Sequence, residues 1–125
     1  MSRGNLSLGK SAEDEAADFL RHRGYSIIRR NYRNRLGEID IIARDKGTLC
    51  FVEVKGRRSL RCGLPQEAVS RSKRGRISRV ALGFLKENNL LDSPVRFDVV
   101  ALICSGQARE IKLIRGAFES EEGLV

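Results

Sequence analysis

Two acids and a lysine in the first half of the sequence have the types and spacing that metal-assisted cleavage of a phosphate ester needs. Asp40 ends the run Gly37-Glu38-Ile39-Asp40, and thirteen residues later come Glu53-Val54-Lys55. Alternate residues of a strand share a face, so Leu49, Phe51, Glu53 and Lys55 fall on one side of a segment that begins apolar and ends in two opposite charges. In the segment before it, the same parity puts Glu38 and Asp40 on one face and Ile39 and Ile41 on the other. A short turn between the two lets Asp40 lie across from the end of its neighbour. Carboxylates gathered in this way, Asp40 with Glu53 and with Glu13 or Glu38 as a third, suit Mg²⁺ or Mn²⁺, which keep waters and bridge phosphates. A lysine beside them, Lys55, can orient or activate the attacking water. The plainer alternative is a structural Glu53–Lys55 pair at a strand end, with Asp40 capping a loop.

The surroundings favour the chemistry. Arg29, Arg30, Arg33 and Arg35 precede the acids, and Arg57, Arg58, Arg61, Arg71, Lys73, Arg74, Arg76 and Arg79 follow them. Over the 125 residues, 24 Lys and Arg stand against 16 Asp and Glu, a formal charge of +8 with a pI near 10.0. A polyanion is the expected partner, with Arg33, Arg35, Arg57, Arg58 and Lys73 the candidate nucleic-acid contacts and Gln66 a further one. For Lys73 a solvated helix face is the competing account. Hydrophobic residues make up 41% and recur throughout, which excludes a disordered basic tail. No apolar run approaches the ~20 residues of a membrane span, and the N-terminus lacks a signal-like apolar segment. Cys50, Cys62 and Cys104 have no CxxC spacing and His22 is the only histidine, so neither a disulfide framework nor a zinc site is expected. Cys50 and Cys104 read as core residues, and the expected compartment is the cytoplasm.

The elements that must position these residues follow from periodicity. Helical spacing runs from Leu8 to about Arg23 and stops at Gly24, with Ser7 or Ser11 as N-cap. Strands are expected over Tyr25–Tyr32, Ile39–Ala43 and Thr48–Lys55, joined by tight turns into an antiparallel meander. After a basic loop over Gly56–Leu64, a second helix opens at Pro65 and runs through Leu85. Val95–Cys104 reads as a buried strand and Glu110–Ile114 as a short last one. The order αβββαββ, in one domain with its core over about residues 8–115, lets the second helix cross over and set the fourth strand parallel to a meander strand. Asp98 shares parity with Arg96, as in a structural ion pair. His22 is expected exposed in the last turn of its helix. Tyr25, Tyr32 and Phe51 fall at strand spacing and are expected in the core or half-buried, leaving no good stacking platform for single strands.

Asp40, Glu53 and Lys55, preceded by a helical acid, resemble the PD-(D/E)xK nuclease superfamily, whose core is also αβββαβ. With Phe51-Val52 and Arg96-Phe97-Asp98-Val99-Val100 added, the chain from Gly9 to about Ile103 resembles the YraN-like family of small bacterial proteins, a group similar to the archaeal Holliday-junction resolvases. That resemblance implies an α/β, restriction-endonuclease-like core with a mixed sheet flanked by helices. It also implies a divalent-metal-dependent endonuclease acting on DNA, branched or structured DNA included. Asp40 and Glu53 match the metal-binding acids, Lys55 the catalytic lysine and Glu13 the helical acid, and the backbone carbonyl of Val54 is implied as a further ligand of Mg²⁺ or Mn²⁺. Resolvase-like relatives act as homodimers, because a four-way junction needs paired cuts. Ile39 departs from the Pro of the superfamily motif, and Ala12 from the Gly that usually precedes the helical Glu. A non-catalytic DNA-binding module is the alternative function, and an RNA substrate shares the same phosphate chemistry.

Overall fold

The computed structural model describes residues 11–57, 70–105 and 108–119. Their elements are α1 (Ala12–His22), β1 (Ser26–Asn34), β2 (Gly37–Asp45), β3 (Thr48–Arg57), α2 (Arg71–Glu87), β4 (Val95–Ser105) and β5 (Ala108–Phe118). All five strands form one sheet in the order β1-β2-β3-β4-β5; β3 and β4 run parallel and every other neighbouring pair antiparallel. The fold is the α/β, restriction-endonuclease-like αβββαβ core with one strand added, its mixed sheet flanked by two helices.

Each helix covers one face. α1 begins at Ser11, whose hydroxyl accepts from the Asp14 N–H at 3.1 Å while the Asp14 carboxylate accepts from the Ser11 N–H at 3.3 Å, a reciprocal capping box. Ser11 has extended dihedrals, so the helix does not run unbroken from Leu8; Ser7 and Leu8 lie outside the described residues. Its buried Ala16, Ala17 and Leu20 pack with Ile41, Ala43, Cys50, Val52 and Val100. On the opposite face α2 buries Ile77, Val80, Ala81, Phe84 and Leu85 against Tyr32, Ile42, Leu49, Phe51 and Phe97. α2 starts at Arg71, not at Pro65, because Ser70 is extended and its hydroxyl caps the Lys73 N–H at 3.2 Å. Pro65 and Gln66 lie outside the described residues, as does most of the Gly56–Leu64 loop, and β3 runs on to Arg57.

β3 is buried on both faces over its first half, as its unbroken apolar run requires: Leu49 and Phe51 face α2, Cys50 and Val52 face α1. Burial pushes the Cys50 thiol up to about 12, so it behaves as a small apolar core residue. Tyr25, Tyr32 and Phe51 are core residues, and His22 is exposed. The last strand is longer than Glu110–Ile114 because Phe118 also packs inward, stacked on Phe97 at a centroid distance of 5.0 Å. The side chain of Cys104 lies outside the described residues.

One expectation fails where it matters. Ile39 and Ile41 do not share a face: Ile39 packs with Tyr32 on the α2 side and Ile41 with Leu20 on the α1 side. Across the hairpin their partners diverge too, since Arg30, opposite Ile41, turns to α1, whereas Tyr32, opposite Ile39, turns to α2. Between those two lies Asn31 at φ 53°, a left-handed conformation that Asn tolerates and that reverses the pleat. Asp40 occupies the matching position on β2.

Candidate active site

The switch of faces coincides with a fork. β2 and β3 are hydrogen-bonded from Asp45↔Thr48 to Ile41↔Val52, and there the ladder stops, although β3 continues beside β4 to Arg57↔Ile103. The next opposed pair is Asp40 and Glu53. In place of a strand-to-strand bond, the Asp40 carboxylate accepts from the Val54 N–H at 2.8 Å, so the acid itself holds the fork. Val54 thus enters the site through its N–H.

Four charged side chains meet here. Glu53, only 6% exposed, has Lys73 Nζ at 2.5 Å and Lys55 Nζ at 3.7 Å from its Oε2. Burial, then the negative charge of Glu53, push Asp40 up to about 6; Glu13 adds to the rise, and the Val54 N–H and Lys73 oppose it. Lys55 is held below the usual lysine range, first by burial and then by the neighbouring Lys73. Burial pulls Lys73 down as well, but its bonds to Glu53 and Lys55 outweigh this and hold it above that range. The result is a buried carboxylate opposite a half-buried one, with a lysine held below its usual range beside them.

The sequence-derived residues sort as follows. Asp40, Glu53 and Lys55 come together. Glu13 is within electrostatic reach of Asp40, yet its carboxylate accepts from Arg30 Nε at 3.3 Å, a contact between elements that no local pattern foretold. Glu38 is exposed, accepts from Arg33 Nη2 at 3.3 Å and takes no part. Lys73 is partly exposed and is ion-paired with Glu53 inside the site. With the helix expected to open at Pro65, the sequence does not show that Lys73 stands in the first turn of α2, where a cation opposes the dipole and no acid offsets it. Arg33 and Arg35 are exposed on the β1–β2 hairpin, at the same end of the sheet as the fork. The side chain of Arg57 and all of Arg58 lie outside the described residues. Asp98 is fully buried and bonded to Arg96 Nε at 2.9 Å, the structural pair expected of it.

α2 covers this end of the sheet at close range. A Cβ on Gly37, which has φ +151°, would stand 3.2 Å from the Arg76 side chain and 3.3 Å from Val80 Cγ2. Gly83 is equally constrained by Asn34, whose Nδ2 lies 2.8 Å from where a Cβ would sit. The helix that delivers Lys73 is thereby seated on the hairpin that precedes Asp40, and it brings the cationic Arg71, Arg74, Arg76 and Arg79 with it.

Among the described residues no group of three or more His, Cys, Asp or Glu side chains is arranged to hold a metal ion, and no helix is long and apolar enough to cross a membrane. Residues 12–102 match the family model described as "Uncharacterised protein family UPF0102". A UPF0102 protein of Syntrophus aciditrophicus is 50% identical over 119 residues, covering 95% of this chain and 94% of its own. Relatives of the same description from Desulforapulum autotrophicum and Geotalea uraniireducens are each 49% identical, over 114 and 116 residues; they cover 91% and 92% of this chain and 94% and 91% of their own. By the family model and by relatives aligned over nearly its whole length, the chain belongs to the UPF0102, or YraN-like, family.

Proposed function

We propose that the chain is a divalent-metal-dependent endonuclease that hydrolyses phosphodiester bonds in DNA, branched or structured DNA included, within the cytoplasm. The observation that carries this reading is the opposition of Asp40 and Glu53 across a fork in the sheet, with Lys55 beside them. The buried Glu53 raises the half-buried Asp40 opposite it, and a structural role needs no such arrangement. Two hard oxygen donors fit Mg²⁺ or Mn²⁺, which are bound by one or two carboxylates and complete their shells with water and phosphate oxygens. Asp40 and Glu53 are the ligands, with the Val54 carbonyl the further one that the family resemblance implies. When bound, the cation polarises the phosphate and lowers the pKa of a bound water.

The chain's own residues do the rest. Asp40, fixed by the Val54 N–H, keeps its carboxylate at the fork. Lys55, on the same face as Glu53 and depressed in pKa, orients the attacking water and offsets the charge that builds on the phosphate. Arg33, Arg35, Arg57 and Arg58 neutralise flanking phosphates, which supplies affinity, while the shape of the DNA supplies selection. A homodimer would give the paired cuts that a four-way junction requires.

The test is cleavage of duplex, single-stranded, flapped and four-way DNA with Mg²⁺ or Mn²⁺. Wild type is expected to cut at least one form; Asp40→Asn, Glu53→Gln and Lys55→Ala should abolish cutting, with DNA binding kept or tightened in the two acid variants. No cleavage of any form, with the substitutions altering affinity alone, identifies a non-catalytic DNA-binding module instead. Cutting that persists in the Asp40→Asn protein rejects the assignment outright.

A further inference from the structure

Lys73 is the site residue whose position the proposed chemistry does not yet use. It stands in the first turn of α2, where the helix's partial positive charge disfavours an ammonium, and no acid in that turn compensates. Glu53 holds it there. The helix lysine lies 2.5 Å from Oε2, nearer than the strand lysine Lys55 at 3.7 Å. The carboxylate is nearly inaccessible, so side chains and not water neutralise it. The Lys73 side chain is 34% exposed, however, and can swing outward without unpacking either core.

Charge counting gives this contact a meaning. Asp40 and Glu53 are balanced by Lys55 and Lys73, while Glu13 lies to one side of this group and shares Arg30 with Asp14. A dication entering that balanced group leaves two uncompensated positive charges in a place of low dielectric. If Lys73 departs, one remains, which is the charge that a single phosphodiester cancels.

We propose that Lys73 is a tethered cation that stands in for the divalent metal at Glu53 and must leave that carboxylate before the metal can bind. This rests on the reading of Asp40 and Glu53 as metal ligands. It has two consequences: the metal-free protein keeps the buried Glu53 neutralised and stays folded, and intrinsic metal affinity is held down by competition from within the chain. Once displaced, the ammonium is free at the mouth of the site to meet substrate phosphate, so metal and substrate favour each other's binding.

The experiment titrates Mn²⁺ alone into the full chain, reading free Mn²⁺ by electron paramagnetic resonance, for wild type, Lys73→Gln, Lys73→Arg and Asp40→Asn. Lys73→Gln is expected to bind Mn²⁺ about tenfold more tightly than wild type, equivalent to about 1.4 kcal/mol. Lys73→Arg keeps the charge and should stay near wild type; Asp40→Asn should lose the binding. Melting temperature is a second readout, with Mn²⁺ raising that of Lys73→Gln more than that of wild type. Lys73→Met, which keeps the apolar stem, serves if the glutamine variant fails to fold. Equal or weaker Mn²⁺ binding by the variants lacking the charge, with binding still lost in Asp40→Asn, overturns the role of Lys73 and leaves the metal ligands standing. Absence of Mn²⁺ binding from wild type and Lys73→Gln alike, or binding that ignores Asp40→Asn, overturns both.

Discussion

The sheet buries acids at two places within one step of register, and it treats them in opposite ways. Asp98 lies across from Val52, the residue before Glu53. It is wholly buried, and fixed donors surround it: Tyr25 Oη at 3.0 Å, Arg96 Nε and Nη2 at 2.9 and 3.1 Å, and the Gly116 N–H at 2.9 Å. Arg96 in turn reaches Asp45 at 2.9 Å, and the contact with Asp98 holds its guanidinium above the usual range. Asp40 has one fixed donor, the Val54 N–H, and faces a second carboxylate. The positive charges near it sit on lysine stems that swing. A buried acid whose oxygens are filled by rigid donors is a structural fixture, whereas one facing a like charge and flexible lysines is available to a ligand.

The largest effect that tests this contrast is at Asp98. Asp98→Ala leaves the Tyr25 hydroxyl and the Gly116 N–H without their acceptor and Arg96 with Asp45 as its one remaining acid, and should destabilise the fold by about 3 kcal/mol. Urea unfolding measures it, and a loss under about 1 kcal/mol would show that the network is no fixture. Tyr25→Phe comes next. Burial pushes the Tyr25 hydroxyl up to about 12, so it stays protonated and donates to Asp98 while accepting from Arg96 and Arg115. Its removal leaves a charged group one bond short, at a cost of about 2 kcal/mol.

How far the sequence disclosed these two regions follows from what fixed each. Parity along β3 was enough to place Glu53 and Lys55 on one face with Phe51, because β3 is a regular strand paired along its length with β4. Parity along β2 failed between Ile39 and Ile41, because the left-handed Asn31 on the neighbouring strand reverses the pleat there, and propensity read over one strand carries no information about its partner. Asp40 still met Glu53, since tight turns and the distance from the Asp45-Lys46-Gly47 turn set which residues stand opposite. The Arg96–Asp98 pair was legible as i, i+2 on one strand; its third member, Tyr25, lies 73 residues from Asp98 and shows no local sign. The Lys73–Glu53 contact was not legible because the two partners lie on different elements and the surroundings of Lys73 in the sequence are basic.

Asp40→Asn runs in the opposite direction from the changes at Asp98. Asparagine still accepts from the Val54 N–H and no longer repels Glu53, so the metal-free protein should gain about 1 kcal/mol at neutral pH, a figure reduced from the full linkage value for partial solvent screening. The sign also sets a pH window. With Asp40 pushed up to about 6 when folded, against an unfolded carboxyl near 3.9, the folded state binds its proton the more tightly. Wild-type stability from this group is therefore full below the unfolded value and is lost as pH rises through about 6; thermal melts of Asp40→Asn should lack that loss. A wild type that shows no such loss relative to Asp40→Asn as pH rises through about 6 would mean that the two acids are no more at odds than the residues of the Asp98 network.

The smallest effect asks whether the two ends of the sheet also differ toward DNA. Arg35 stands on the β1–β2 hairpin at the fork end; Lys46 stands on the β2–β3 turn at the other, near Asp45 and Arg96, and both are exposed. Each phosphate neutralised contributes about 0.9 to the slope of log affinity against log salt concentration for duplex DNA. If DNA lies across the fork, Arg35→Ala lowers that slope by about this amount, and Lys46→Asn, chosen because Asn tolerates the φ of 56° there, leaves it unchanged. Arg33→Ala should lower it by less, because Arg33 already donates to Glu38 and must give up that partner to reach a phosphate. Glu38→Gln should then tighten binding, since it releases Arg33 and removes a negative charge from the approach. Fluorescence anisotropy across a salt series reads all four, and equal slopes for Arg35→Ala and Lys46→Asn would mean that the basic charge acts as a diffuse field and that the fork has no privileged place in DNA binding.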